Sequence, residues 1–148
     1  MPSKEIICLV ADPDEQVRAL LEASLGSSAA SLGLDILVLS VDDGRAALQA
    51  IRSRTPALVL SEVLLEVVNG LQLLRHGRDS VDTEGARWIF VTAMTDDTDR
   101  YWARLNDCDD YLHKPIDGGT LSTVLKRHLE AIAGDTPRVR SQKEGLFR

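Results

Sequence analysis

The sequence predicts an α/β fold in which helices cover both faces of a parallel sheet, and three observations carry that expectation. Short apolar runs alternate strictly with helical periods, the runs are nearly continuous in apolar residues, and polar side chains gather where the runs end. Right-handed crossovers between successive parallel strands make such a sheet doubly wound.

The first run, IICLVA at 6–11, is followed by Asp12, and Asp14 stands as a helix cap before the period Val17, Leu20, Leu21 and Leu25. GSSAASLG at 26–33 reads either as a flexible loop or as a frayed extension of that helix. DILVLS at 35–40 precedes the cap Asp43 and the period Ala47, Leu48 and Ile51. ALVLSE at 57–62 ends on Glu62, after which Asn69 caps a segment with Leu71 and Leu74 that stops near Gly77. RWIFVTA at 87–93 holds Thr92, and Thr98, Trp102 and Leu105 follow with helical spacing. DYLHK at 110–114 closes on Lys114; Asp117 then opens the clearest period, Leu121, Val124, Leu125, Leu129 and Ile132, which stops at Gly134.

A chain of 148 residues has single-domain length, assigned here to residues 1–133. The segment 134–148 lacks apolar periodicity and carries Arg138, Arg140, Lys143 and Arg148. It reads as a disordered tail, with a small basic docking tail as the alternative. Lys and Arg total 17 against 23 Asp and Glu, a net charge of -6, which argues against general affinity for nucleic acid or anionic membrane. The apolar runs fall far short of the roughly 20 residues that span a bilayer, and no secretory signal opens the chain. Two cysteines, Cys8 and Cys108, read as small core residues and make a reducing cytoplasm the expected location.

In doubly wound sheets, chemistry gathers at the carboxyl ends of the strands beside the switch in strand order. Asp12, Glu62, Thr92 and Lys114 all stand at such ends. An ionised acid closing an apolar run costs desolvation energy unless something pairs with it, and Lys114 can do so. Bland readings stand beside this one: Glu62 as a solvated strand end, and Thr92 as a β-branched strand residue bonded locally. Asp96, Asp97 and Asp99 suit the first turn of a helix, and Asp107, Asp109 and Asp110 read as solvated or locally bonded loop acids. His76, His113 and His128 are too dispersed for a metal cluster. The acidic, glycine-free loop ADPDEQ argues against a flavin or nucleotide site.

CLVADPDEQVRALL, DDGRAAL, PALVLSEVLLEVVNGLQLL, FVTA and DDYLHKP, taken in order and spacing, resemble the receiver domains of two-component response regulators over residues 5 to about 133. The resemblance implies a flavodoxin-like, five-stranded parallel sheet in the order 2-1-3-4-5. It also implies a cleft in which an aspartate ending the third strand takes a phosphoryl group from a partner's histidine. Two acids after the first strand hold Mg²⁺ there, a threonine and a lysine bind the phosphoryl oxygens, and an aromatic residue of the fifth strand turns inward. Asp12 matches the first acid, Thr92 the threonine, Lys114 the lysine and Tyr111 the aromatic switch, and Pro115 is expected to follow a cis peptide.

Two departures define the expectation for function. Pro13 replaces the second metal-binding acid, so that Mg²⁺ held by Asp12 and Glu62 should be weak or absent, with Asp14 nearby but occupied first as a helix cap. Glu62 stands at the phosphoacceptor position, keeping its charge while losing its geometry. The leading reading is therefore a stand-alone, phosphorylation-independent receiver-like protein that needs no cofactor and works by protein contacts and not by turnover. No output domain fits after residue 133, so its effect is expected in trans on a histidine kinase, a downstream protein or a second copy of the chain. The alternative is a phosphotransfer receiver that still accepts a phosphoryl group at Glu62 with Mg²⁺. Tyr101 and Trp102 cannot both face the core, and the outward one would make an interaction face; core packing is the rival reading.

Overall fold

The computed structural model describes residues 4–94 and 97–140. In it, β1 (Ile6–Ala11), β2 (Ile36–Val41), β3 (Leu58–Ser61), β4 (Arg87–Thr92) and β5 (Asp110–His113) form one parallel sheet in the order β2-β1-β3-β4-β5. The intervening helices are α1 (Glu15–Ser31), α2 (Gly44–Arg54), α3 (Gly70–Asp79), α4 (Asp97–Leu105) and α5 (Gly118–Ala133). The expected fold class and strand order are those observed.

Continuous apolar runs are required because both faces of the sheet are covered and successive side chains point to opposite faces. Cys8, Val10, Leu58, Leu60, Ile89 and Val91 join Leu21, Leu25, Leu125 and Leu129 in the core beneath α1 and α5. Their strand neighbours Leu9, Val59, Trp88 and Phe90 point the other way, toward Ile51, Leu73 and Leu74 of α2 and α3. Burial pushes the Cys8 thiol up to about 12 and, with help from Asp109, the Cys108 thiol as well.

The four expected caps all form. Asp14, Asp43, Asn69 and Asp117 accept from the N–H groups of Gln16, Ala46, Gln72 and Thr120, and Gln72 returns the bond to Asn69 in a capping box. GSSAASLG is helix as far as Ser31, because Ser28 and Ala29 are small enough to be buried there at 2% exposure each. Gly33, at φ 68, then turns the chain. Gly77 is not a stop but lies inside α3, where a Cβ would sit 2.8 Å from the Trp88 ring. It gives that indole its space.

Asp107 and Asp109 correct the reading as solvated acids, since both are buried in ion pairs. Arg138 lies 2.7 Å from Asp107 and 2.8 Å from Asp109, with Arg78 of α3 at 3.1 Å from Asp109. The described part of the tail, 134–140, is held there through Arg138 and by Arg87, which donates to the Thr136 carbonyl at 2.8 Å. Asp96, Lys143 and Arg148 lie outside the described residues, as does the side chain of Asp99. No helix among the described residues is long and apolar enough to cross a membrane.

Two glycines should respond to alanine with opposite sign. A Cβ on Gly44 would meet the Val68 carbonyl oxygen at 1.6 Å, whereas Gly26, inside α1, has nothing within 4 Å. Urea unfolding should show Gly44→Ala losing ~2–4 kcal/mol and Gly26→Ala gaining ~0.5–1 kcal/mol.

Candidate functional site

Parallel pairing builds the site. Ala11 is in register with Ser61, so the residues that follow them, Asp12 and Glu62, emerge side by side where the sheet order switches. Thr92 ends β4 on the far side of Glu62, and the Lys114 N–H bonds the Thr92 carbonyl at 2.9 Å. The Lys114–Pro115 peptide is cis. Asp12, Glu62, Thr92 and Lys114, expected from the sequence to gather at the strand ends, meet in one cleft.

At its centre the Lys114 Nζ lies 2.7 Å from Asp12 Oδ2 and 2.8 Å from Glu62 Oε2. Asp12 is 1% exposed, Glu62 5%, and the Lys114 side chain 22%. The remaining carboxylate oxygens are engaged as well. Asp12 Oδ1 accepts from the Asp14 N–H at 2.8 Å, and Glu62 Oε1 accepts from the N–H groups of Val63 and Leu64 at 2.8 and 3.2 Å and from the Thr92 hydroxyl. Burial pulls the Lys114 pKa down, but hydrogen bonds to Asp12 and Glu62, reinforced by their charges, raise it above the ordinary lysine value.

A chain of hydrogen bonds leads outward from Glu62. The hydroxyl of Thr92, donated to Glu62, accepts from the Met94 N–H at 3.0 Å, and the Met94 carbonyl accepts from the Tyr111 hydroxyl at 3.0 Å. The half-buried Tyr111 ring is thereby turned in, its centroid 6.0 Å from that of Phe90, and the Arg100 guanidinium lies over the ring at 5.6 Å from its centroid.

Asp14 stands apart from the buried group: its side chain is exposed and committed to capping α1. Tyr101 and Trp102 are both exposed, at 37% and 44%, because they stack edge to face on each other at 5.6 Å instead of dividing between core and solvent. Sequence reasoning missed Arg18, which donates to the Asp12 carbonyl at 2.8 Å and fixes the loop after β1. It also missed the backbone donors of Val63 and Leu64, which no side-chain pattern announces.

The donor set does not fit a resident Mg²⁺ as arranged. The ion asks for near-octahedral oxygen ligands, whereas here an ammonium lies between the Asp12 and Glu62 carboxylates and Pro13 offers no side-chain oxygen. Among the described residues, no three His, Cys, Asp or Glu side chains gather at metal-binding spacing.

Comparison with known proteins agrees with this geometry. The family model for the response regulator receiver domain matches residues 8–126. Protein PilH of Pseudomonas aeruginosa is 31% identical over 88 residues, which cover 60% of this chain and 73% of PilH. Several other curated relatives are longer, and the chain spans about half their length. A signal receiver domain of an HD domain-containing protein from Pseudomonas fluorescens Pf-5 superposes with a TM-score of 0.74 at 25% identity, covering 89% of this chain and 99% of that one. The receiver domain of the sensor histidine kinase PA1611 from Pseudomonas aeruginosa PAO1, with magnesium coordinated in its active site cleft, shares the fold. Its TM-score is 0.72 at 23% identity, covering 86% of this chain and 99% of that one.

Removing the ammonium should expose what it holds together. Lys114→Met should cost ~2–4 kcal/mol in urea unfolding near neutral pH, less than for a wholly buried pair because Lys114 is partly open to water. The folded pKa lies above the ordinary 10.5, so the Lys114 contribution is complete below that pH and fades as pH rises through the folded value. The gap between the two proteins should therefore be level up to about pH 10 and narrow beyond 10.5.

Proposed function

Because the chain belongs to the response regulator receiver domain family, we propose that it serves two-component signalling as a receiver whose cleft is held in one state by its own charges, independently of phosphorylation. The observation that carries this reading is Glu62, buried at the acceptor position with Oε2 on Lys114 and Oε1 on two backbone N–H groups and the Thr92 hydroxyl. A nucleophile must present a free lone pair in line with phosphorus, and errors of about 1 Å in placement cost on the order of a hundredfold in rate. Glu62 spends its oxygens on the fold.

The held state resembles the activated one. Thr92 is drawn toward the acid as the family's threonine is drawn toward a phosphoryl group, and Tyr111 is turned inward beneath Met94. A carboxylate one methylene longer than aspartate reaches into the space where phosphoryl oxygens would lie, and Lys114 meets it there. Mg²⁺ has no part in this reading. The protein acts by contact, on a histidine kinase or a downstream signalling protein, and the exposed pair Tyr101 and Trp102 on α4 supplies one face for it. A cytoplasmic setting suits its free cysteines, both with thiols pushed up to about 12.

Incubation with acetyl phosphate and Mg²⁺, followed by intact mass measurement, should leave the wild-type protein unchanged. The double variant Pro13→Asp with Glu62→Asp, which restores both acids of the family pattern, should gain a phosphoryl-sized mass under the same conditions. A wild-type mass gain removed by Glu62→Gln would establish the opposite reading, a receiver that takes phosphate on glutamate.

A further inference from the structure

α2 and the loop after β3 enclose an open groove of about 540 Å³, lined by Arg45, Leu48, Arg52, Val67 and Val68 among others, and remote in role from the ionic cleft. Its charge is unlike that of the chain. The protein carries 23 acids against 17 Lys and Arg, yet the charged residues of α2 are Arg45, Arg52 and Arg54, with no acid among them. Among the described residues neither Arg45 nor Arg52 has an ion-pair partner.

One wall of the groove is apolar and outward. Val67 is 74% exposed, and it holds φ at 73, a left-handed backbone that a β-branched residue rarely adopts. Two hydrogen bonds impose that shape: the Val68 N–H closes a three-residue turn on the Glu66 carbonyl at 2.9 Å, and the Gly44 N–H at the start of α2 donates to the same carbonyl at 3.1 Å. The turn sets a valine in water where the backbone would accept asparagine or glycine more readily. Leu48, half-buried, supplies apolar floor between the two arginines.

We propose that this groove is a docking site for an acidic, leucine-rich segment of a partner protein, its apolar residues against Val67, Val68 and Leu48 and its carboxylates on Arg45 and Arg52. Charge complementarity selects the occupant: two guanidiniums without ion-pair partners flanking an apolar strip fit a peptide that alternates acid and aliphatic side chains.

The test uses the full chain and a fluorescein-labelled amphipathic peptide of leucine and glutamate, with a leucine and lysine peptide of the same pattern as control, read by anisotropy. The wild type should bind the glutamate peptide saturably and the lysine peptide not at all. Arg45→Glu combined with Arg52→Glu should weaken that binding by at least about tenfold, and Val67→Asn, which suits the turn and removes the apolar knob, should weaken it about threefold. Circular dichroism of both variants confirms that they are folded. Absence of saturable binding, or equal binding by the charge-reversed variant, overturns the proposal. So does self-association of the wild type that charge reversal abolishes, which would give the groove to a second copy, or preference for an oligonucleotide over the glutamate peptide.

Discussion

Two ionised carboxylates that end adjacent buried strands repel each other unless a cation lies between them, and in this protein that cation is Lys114. Its ammonium joins the end of β5 to the ends of β1 and β3 across a sheet whose central strands are dry on both faces. Without it, two acids exposed at 1% and 5% would face each other in a medium where like charges repel strongly. The sheet order makes the arrangement unavoidable. β1 and β3 are neighbours only because the chain winds one way to β2 and the other way from β3 onward, so Asp12 and Glu62 must meet at the switch.

Most of the fold was legible in the sequence because its signals are local. A strand buried on both faces must be apolar throughout, and a helix must satisfy its first N–H groups, which Asp14, Asp43, Asn69 and Asp117 do. The site was legible for a related reason: Asp12, Glu62, Thr92 and Lys114 are the polar residues that interrupt apolar runs at their carboxyl ends. What escaped depends on partners far along the chain. Gly77 looks like a stop until Trp88 is seen packed against it, and Asp107 and Asp109 look solvated until Arg138 folds back onto them. Tyr101 and Trp102 escaped differently, since their ring pairing offers a third choice between core and solvent.

The loop after β3 joins the two regions to which function is assigned here. Its first residue is Glu62, whose own side chain bonds the next two N–H groups, and its later residues Glu66 to Val68 are pinned to α2 through Gly44. The same acid that completes the ionic cleft thus stiffens the segment that presents Val67. A shorter side chain would reach these donors differently, so the identity of one residue bears on both the interior and the surface.

The two tryptophans divide between those regions of solvent access. Trp88 is fully buried in β4, whereas Trp102 is 44% exposed on α4. The molecule therefore carries two built-in fluorophores of unlike environment: one emitting from a dry interior and shielded from quenchers, the other wet and open to them. Collisional quenching by acrylamide separates their signals, so unfolding and surface contact at α4 are observable in the same cuvette without an added label.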